Sequence, residues 1–205
     1  MHTLCVKLFA TSKRDESTVI AIFDLETCLL SSDVAPDGAE IGWSPARRRL
    51  MGISWGVAWC SDGHYRHYDE HNLSTLASLL EEAALVVSYN GISFDLPLLA
   101  GVLERKVTIR RHCDLLEIIK EAGGRRYSLD EMALVNLPEG KGGSGKDAPP
   151  LYQAGRFAEL ATYCERDVML TRGLFFLATE RGWLFSPHGG RVVMPAQWVQ
   201  AKVGE

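Results

Sequence analysis

The first regular stretch of the chain is an apolar run, Thr18-Val19-Ile20-Ala21-Ile22-Phe23, that passes directly into Asp24-Leu25-Glu26-Thr27. A short apolar run of this kind reads as a buried β-strand over residues 18–27. Residues 1–17 are polar and irregular after a short apolar start, and residues 31–49, with Pro36-Asp37-Gly38 and Pro45, read as a loop. Leu50 to Cys60, rich in Ile, Val and Trp, predicts a second strand. Gly63 marks a turn, and the alternation from His64 to Asp69 predicts a third strand, hairpin-paired with the second. Asn72 or Ser74 caps a helix running to about Glu82, and Ala84 to Tyr89 is a compact strand. A helix then starts near Leu96 with Pro97 in its first turn, where proline is tolerated. Val107 to Ile109 reads as a short strand, and Asp114 to Glu121 as an amphipathic helix stopped by Gly123-Gly124. Ser128-Leu129-Asp130-Glu131 has the form of a capping box that opens another helix. Residues 138–150 form a flexible Gly/Lys/Pro loop, and a long helix runs from about Gly155 to Arg181. The tail from Ser186 is ambiguous, with Val192 to Met194 as an added edge strand. Hairpin strands followed by alternating helix and strand imply an α/β fold with a mixed sheet.

Composition narrows the class. The chain has 205 residues, 46% hydrophobic and 23% charged, the balance of a soluble globular domain with a real core. Its formal charge of −4 excludes a bulk-basic nucleic-acid binder, so local basic clusters such as Arg47-Arg48-Arg49, Arg110-Arg111 and Arg125-Arg126 matter more than the total. For any one cluster a solvated surface is the plainer expectation. The five cysteines are scattered without a C-x-x-C pair, which argues against zinc and for a reducing compartment. No segment approaches the length of a membrane span and no signal peptide is evident, so the expected location is cytoplasmic, or the host-cell interior for a viral source.

The chemistry is carried by three acidic motifs. Side chains at i and i+2 of a strand share a face, so Asp24 and Glu26 project together from the end of a core strand. Two like charges side by side need a positive partner, and hard oxygen ligands favour Mg²⁺ or Mn²⁺. The second motif, Tyr89-Asn90-Gly91-Ile92-Ser93-Phe94-Asp95, follows a strand and puts Asp95 at the sheet edge, as an N-cap or as a ligand. The third, Tyr163-Cys164-Glu165-Arg166-Asp167, sets Tyr163 and Asp167 one helical turn apart while Leu160, Leu170 and Leu174 pack on the sheet.

Together Asp24, Glu26, Asp95, Asp167 and Tyr163 resemble the signature of the tyrosine-containing (DEDDy) branch of the DEDD 3′→5′ exonuclease superfamily. The three motifs look most like those of the proofreading exonuclease domains of family B DNA polymerases and of related free-standing predicted exonucleases, over roughly residues 18–180. The resemblance implies an α/β, ribonuclease H-like five-stranded mixed sheet flanked by helices, with the first motif on the central strand. It implies a single exonuclease domain over residues 1–205, with the tail 186–205 uncertain. It also implies two divalent cations, Mg or Mn. Asp24 would bridge them, Glu26 and Asp167 would complete the one that activates water, and Asp95 would serve the other. Tyr163, a poor base at neutral pH, would position the water. Leu25, Thr27, Leu30, Asn90 and Phe94 are the expected contacts to the terminal nucleotides, and Arg125, Arg126 and Lys146 to backbone phosphates. The expected partner is the 3′ end of single-stranded DNA or RNA, with a polymerase or another replication or repair protein in trans.

Other motifs carry less. Gly140-Lys141-Gly142-Gly143-Ser144-Gly145-Lys146-Asp147 imitates a phosphate-binding loop, but Asp147 stands at the Ser/Thr position and Pro149-Pro150 follow where a helix belongs. His64, His67 and His71 do not share a strand face and read as surface residues, and His112-Cys113-Asp114 as structural. The alternatives to an exonuclease are a catalytically silent nucleic-acid-binding module and an endonuclease on the same fold.

Overall fold

β1 (Ile20–Thr27) is the central strand of a five-stranded mixed sheet, with hydrogen-bonded neighbours on both sides. The structure, a computed structural model, describes residues 19–34, 48–138 and 148–198. A short helix α1 (Ser31–Val34) follows β1, and a 3₁₀ turn (Arg49–Met51) leads into β2 (Ile53–Cys60). β2 runs antiparallel to β1 and forms a hairpin with β3 (Tyr65–Tyr68). After α2 (Leu73–Glu82), β4 (Leu85–Ser88) pairs parallel to β1. α3 (Asp95–Val102) then crosses to β5 (His112–Asp114), parallel to β4. The sheet order is β3-β2-β1-β4-β5, the arrangement expected of a ribonuclease H-like fold. α4 (Leu115–Gly123), α5 (Leu129–Asn136), α6 (Ala148–Gln153) and α7 (Phe157–Arg181) complete the layers. A separate two-stranded sheet, β6 (Trp183–Phe185) and β7 (Arg191–Val193), follows them.

The alternation of β1 divides the core. Ile20 and Ile22 pack in a cluster with Cys164, Val168, Leu174 and Phe175 of α7. Ala21, Phe23 and Leu25 pack on the other face with Leu76 and Leu80 of α2 and Leu98 and Leu99 of α3. Continuing the pattern, Asp24 and Glu26 fall on the α7 face, just past its apolar part. Among the described residues no helix is long and apolar enough to cross a membrane.

Four sequence expectations need correction. Ser31 to Val34, expected as part of a loop, form the helix α1. Val107 to Ile109 is not a strand. Val107 and Ile109 pack against the second core cluster as irregular chain, and His112 to Asp114 supply the backbone partners of β4. Pro149 and Pro150 lie within the short helix α6, not in a loop. They occupy its first turn, where a missing N–H costs nothing. The tail strand (Arg191–Val193) does not extend the main sheet but pairs antiparallel with β6. The phosphate-loop imitation at 140–147 and most of the loop at 31–49 lie outside the described residues.

The capping box forms as read. Ser128 Oγ accepts from the Glu131 N–H at 3.2 Å, and the Ser128 N–H donates to Glu131 Oε2 at 2.7 Å. Ser128→Ala is expected to cost about 1 kcal/mol, which for a chain of this size lowers Tm by roughly 2–4 °C. Thermal melts followed by circular dichroism check it, and an unchanged Tm would remove the box from the stability of α5.

Candidate active site

Three distant segments meet at one pocket. β1 brings Asp24, Leu25 and Glu26. The β4–α3 turn brings Tyr89, Asn90, Phe94 and Asp95, and α7 brings Tyr163 and Asp167. Leu116, Arg126, Tyr127, Ser128 and Leu129 close the remaining wall around a volume of about 420 Å³. Of the five residues expected to touch nucleotides, Leu25, Asn90 and Phe94 line this pocket. Thr27 is buried behind a β-bulge after Glu26, and the Leu30 N–H is held by Asp33 Oδ2 at 2.8 Å. Neither is among the lining residues.

Asp95 is not the N-cap of α3. It is the first helical residue of α3, Phe94 occupies the N-cap position, and Asp95 Oδ1 accepts the backbone N–H of Leu25 at 3.1 Å. That bond reaches between the two residues of the first motif and locks the second motif to it. Arg48, buried although it belongs to an arginine cluster read as surface charge, donates to the Phe94 carbonyl at 3.3 Å and attracts the Asp95 carboxylate.

The turn that delivers Asn90 and Asp95 is organised by Asp114, which sequence reading left in a general structural role. Its carboxylate accepts from the N–H groups of Asn90 (2.9 Å) and Ile92 (2.9 Å) and caps α4 through Leu116 (3.0 Å). Ser88 Oγ also donates to it at 3.3 Å and meets His112 Nε2 at 2.8 Å. Asn90 adopts a left-handed backbone (φ 72), which Asn tolerates better than most residues. Gly91 is required sterically, since a Cβ there would stand 2.5 Å from Ser88 Oγ. The strand expected at Val107 to Ile109 stands five residues before the observed one, which ends at Asp114 just before α4.

Electrostatics set this pocket apart. Burial, then the charges of Asp95, Glu26 and Asp167, push the Asp24 carboxyl well above the ordinary range. Glu26 rises for the same reasons, burial first and then Asp167 and Asp95. Asp95 is pushed up to about 7 mainly by burial. Asp167 is pushed up to about 7 by burial and by Asp130, against the opposing pull of Arg166. Burial and the same carboxylates raise the Tyr163 phenol, so it stays protonated. Cys164, fully buried, points its thiol at the Asp24 carbonyl (3.5 Å) and carboxylate (3.9 Å). Ligand atoms of Asp24, Glu26 and Cys164 lie within 4.8 Å of one another. The thiol is driven toward its neutral form, so the donor set is one of hard oxygens, suited to a divalent cation such as Mg²⁺ or Mn²⁺.

The raised carboxyls fix a pH dependence for the metal-free protein. Asp95 keeps its proton in the folded state up to about 7, whereas the unfolded chain releases it near 3.8. The folded state therefore binds more protons across that window, and stability present below it is lost as pH rises through it. In chelator at pH 8, Asp95→Asn is expected to stabilise the protein by about 2–4 kcal/mol, with the gain vanishing near pH 4. Denaturant melts at the two pH values test this, and an equal gain at both would show that burial of charge is not the cause.

Among solved structures, the fold is similar to a family B DNA polymerase from the hyperthermophilic archaeon Pyrobaculum calidifontis. The TM-score is 0.58 and the identity 18%, over 78% of this chain and 24% of the polymerase. Two structures of exonuclease I align with TM-scores of 0.45 and 0.44 and identities of 14% and 13%. They cover 80% of this chain and 41% and 44% of theirs. The chain thus spans about a quarter of the polymerase and less than half of exonuclease I. No curated protein matches it. Residues 103–181, a span that holds Tyr163 and Asp167, match the family model described as a predicted 3′-5′ exonuclease related to the exonuclease domain of PolB.

Proposed function

We propose that the chain is a 3′→5′ exonuclease that hydrolyses the terminal phosphodiester of single-stranded nucleic acid with two divalent cations, Mg²⁺ or Mn²⁺. The observation that carries this reading is the convergence of Asp24, Glu26, Asp95 and Asp167, from three remote segments, on one pocket that also holds the Tyr163 phenol. Their mutual repulsion is what a cation pair relieves. Asp24, Glu26, Asp95 and Asp167 would hold the cations. Bound there, divalent cations would supply an acidified water and offset charge on the scissile phosphate.

The remaining roles belong to the chain's own groups. Tyr163, protonated and half-buried, would hold the attacking water by hydrogen bonding rather than take its proton. Arg126 donates to Asn90 Oδ1 at 3.0 Å, so the amide oxygen is occupied and the Asn90 N–H groups would be the donors for the 3′ terminus. Leu25, Phe94, Leu116 and Leu129 offer apolar surface to the terminal sugar and base. Thr27 and Leu30 would act only at the rim or through β1. A polymerase or another replication or repair protein remains the partner proposed in trans, on the likeness to a polymerase that carries such a fold within a longer chain.

The test uses 5′-labelled single-stranded DNA and RNA with free or blocked 3′ ends. A shortening ladder that needs both a divalent cation and a free 3′ end is the expected result. Asp24→Asn should lower the rate by at least about 10²-fold and abolish thermal stabilisation by Mg²⁺. Tyr163→Phe should cost about 10–10²-fold with that stabilisation intact, as loss of positioning does. Binding without cleavage would favour the silent module, and internal cuts on blocked ends an endonuclease.

A further inference from the structure

After α7 the chain turns at Gly182, in the left-handed region (φ 81), into the β6–β7 hairpin. Its register pairs Trp183 with Val193, Leu184 with Val192 and Phe185 with Arg191. Leu184 and Val192 are buried, which leaves Trp183, Phe185, Arg191 and Val193 on the opposite face. That face is open: Phe185 is 43% and Val193 63% exposed. The Arg191 guanidinium lies 4.1 Å from the Trp183 ring centroid, with Arg181 at 5.9 Å, and the Trp183 and Phe185 rings are 4.7 Å apart. Among the described residues neither Arg181 nor Arg191 forms an ion pair with a carboxylate.

The hairpin is fastened to the wall of the carboxylate pocket. The Asn136 side chain brackets the Phe185 backbone, accepting from its N–H at 2.8 Å and donating to its carbonyl at 2.9 Å. Ser186 Oγ donates to the Tyr127 hydroxyl at 2.9 Å, and the His188 ring stands edge-on to Tyr127 at 5.6 Å. Tyr127 lines the pocket, and the Arg125 guanidinium lies 5.5 Å from its ring. Arg125, Arg126 and His188 thus gather around Tyr127, and the residues that follow in the hairpin carry the Arg191–Trp183 stack.

We propose that this hairpin face is a docking platform for single-stranded nucleic acid, taking nucleotides on the 5′ side of those in the carboxylate pocket. The proposal rests on the exonuclease reading and adds where the rest of the strand lies. A guanidinium stacked on an indole offers a flat outer surface for a base and N–H groups at its edge for phosphate. Single-strand sites combine these two elements, stacking and cationic charge. In a chain of net charge −4 with four carboxylates at the reaction centre, such a local patch is where polyanion attraction can reside.

The test measures binding of 5′-fluorescein oligo(dT) and oligo(U), of about four and about twenty nucleotides, to the Asp24→Asn protein in Mg²⁺. Adding Arg181→Gln and Arg191→Gln should weaken the long strands about tenfold and reduce the salt slope of log K by about 1.4, two phosphate contacts' worth. The short strands should move less than about twofold, as should both lengths with Arg105→Gln, an exposed control paired with Glu81. Phe185→Ser should weaken the long strands without changing the salt slope, and it carries the test if the double variant fails to fold. Equal binding of long strands by parent and variants overturns the proposal, as does equal weakening of both lengths. A wild type that neither binds nor shortens any oligonucleotide sinks the exonuclease reading and the platform with it, whereas a cleaving wild type with unresponsive variants sinks the platform alone.

Discussion

The burial of Asp24, Glu26, Asp95 and Asp167 side by side is the constraint around which this molecule is arranged. Carboxyls buried together without a counter-charge are costly, so the surrounding fold must be over-determined where it holds them. It is. β1 is hydrogen-bonded on both sides, its two acids follow directly on Ile20 and Ile22 of the core, and α7 lays Cys164 and Val168 against that same face. Departures from local stability rules of this kind belong at functional sites.

Asp114 is instructive by contrast. It is also a buried aspartate at the end of a sheet strand, yet it faces backbone N–H groups of Asn90, Ile92 and Leu116 rather than other acids. One buried carboxylate thus builds structure because its acceptor capacity is filled. The four in the pocket line a cavity, and only Asp95 is seen to take a backbone N–H from another residue, that of Leu25. The same side chain serves as architecture or as a ligand candidate according to what fills its lone pairs.

Much of this was legible in the chain. The period-two pattern of β1 placed Asp24 and Glu26 on one face, the i, i+4 spacing on α7 placed Tyr163 beside Asp167, and the Ser128–Glu131 spacing gave the capping box. What stayed hidden depends on register and distant packing. A three-residue strand such as β5 has no period to detect, and the nearby apolar Val107 and Ile109 look more strand-like while packing as irregular chain. Arg48 sits in a run of arginines that composition cannot divide into buried and exposed members. Tyr127 and Ser128, unlike the expected Arg126, had no signal as pocket residues, and they line the pocket only because the α4–α5 connection lies against it. Pro149 and Pro150 look like helix breakers until a helix happens to begin at them.

Asn90 is held from two directions: Asp114 grips its backbone, and Arg126 its side-chain oxygen. The turn that delivers Asp95 and the connection that carries Tyr127 are therefore members of one mechanical unit. Whatever displaces the connection pulls on the turn as well, so the position of the pocket wall and the alignment of the acid one turn away are linked.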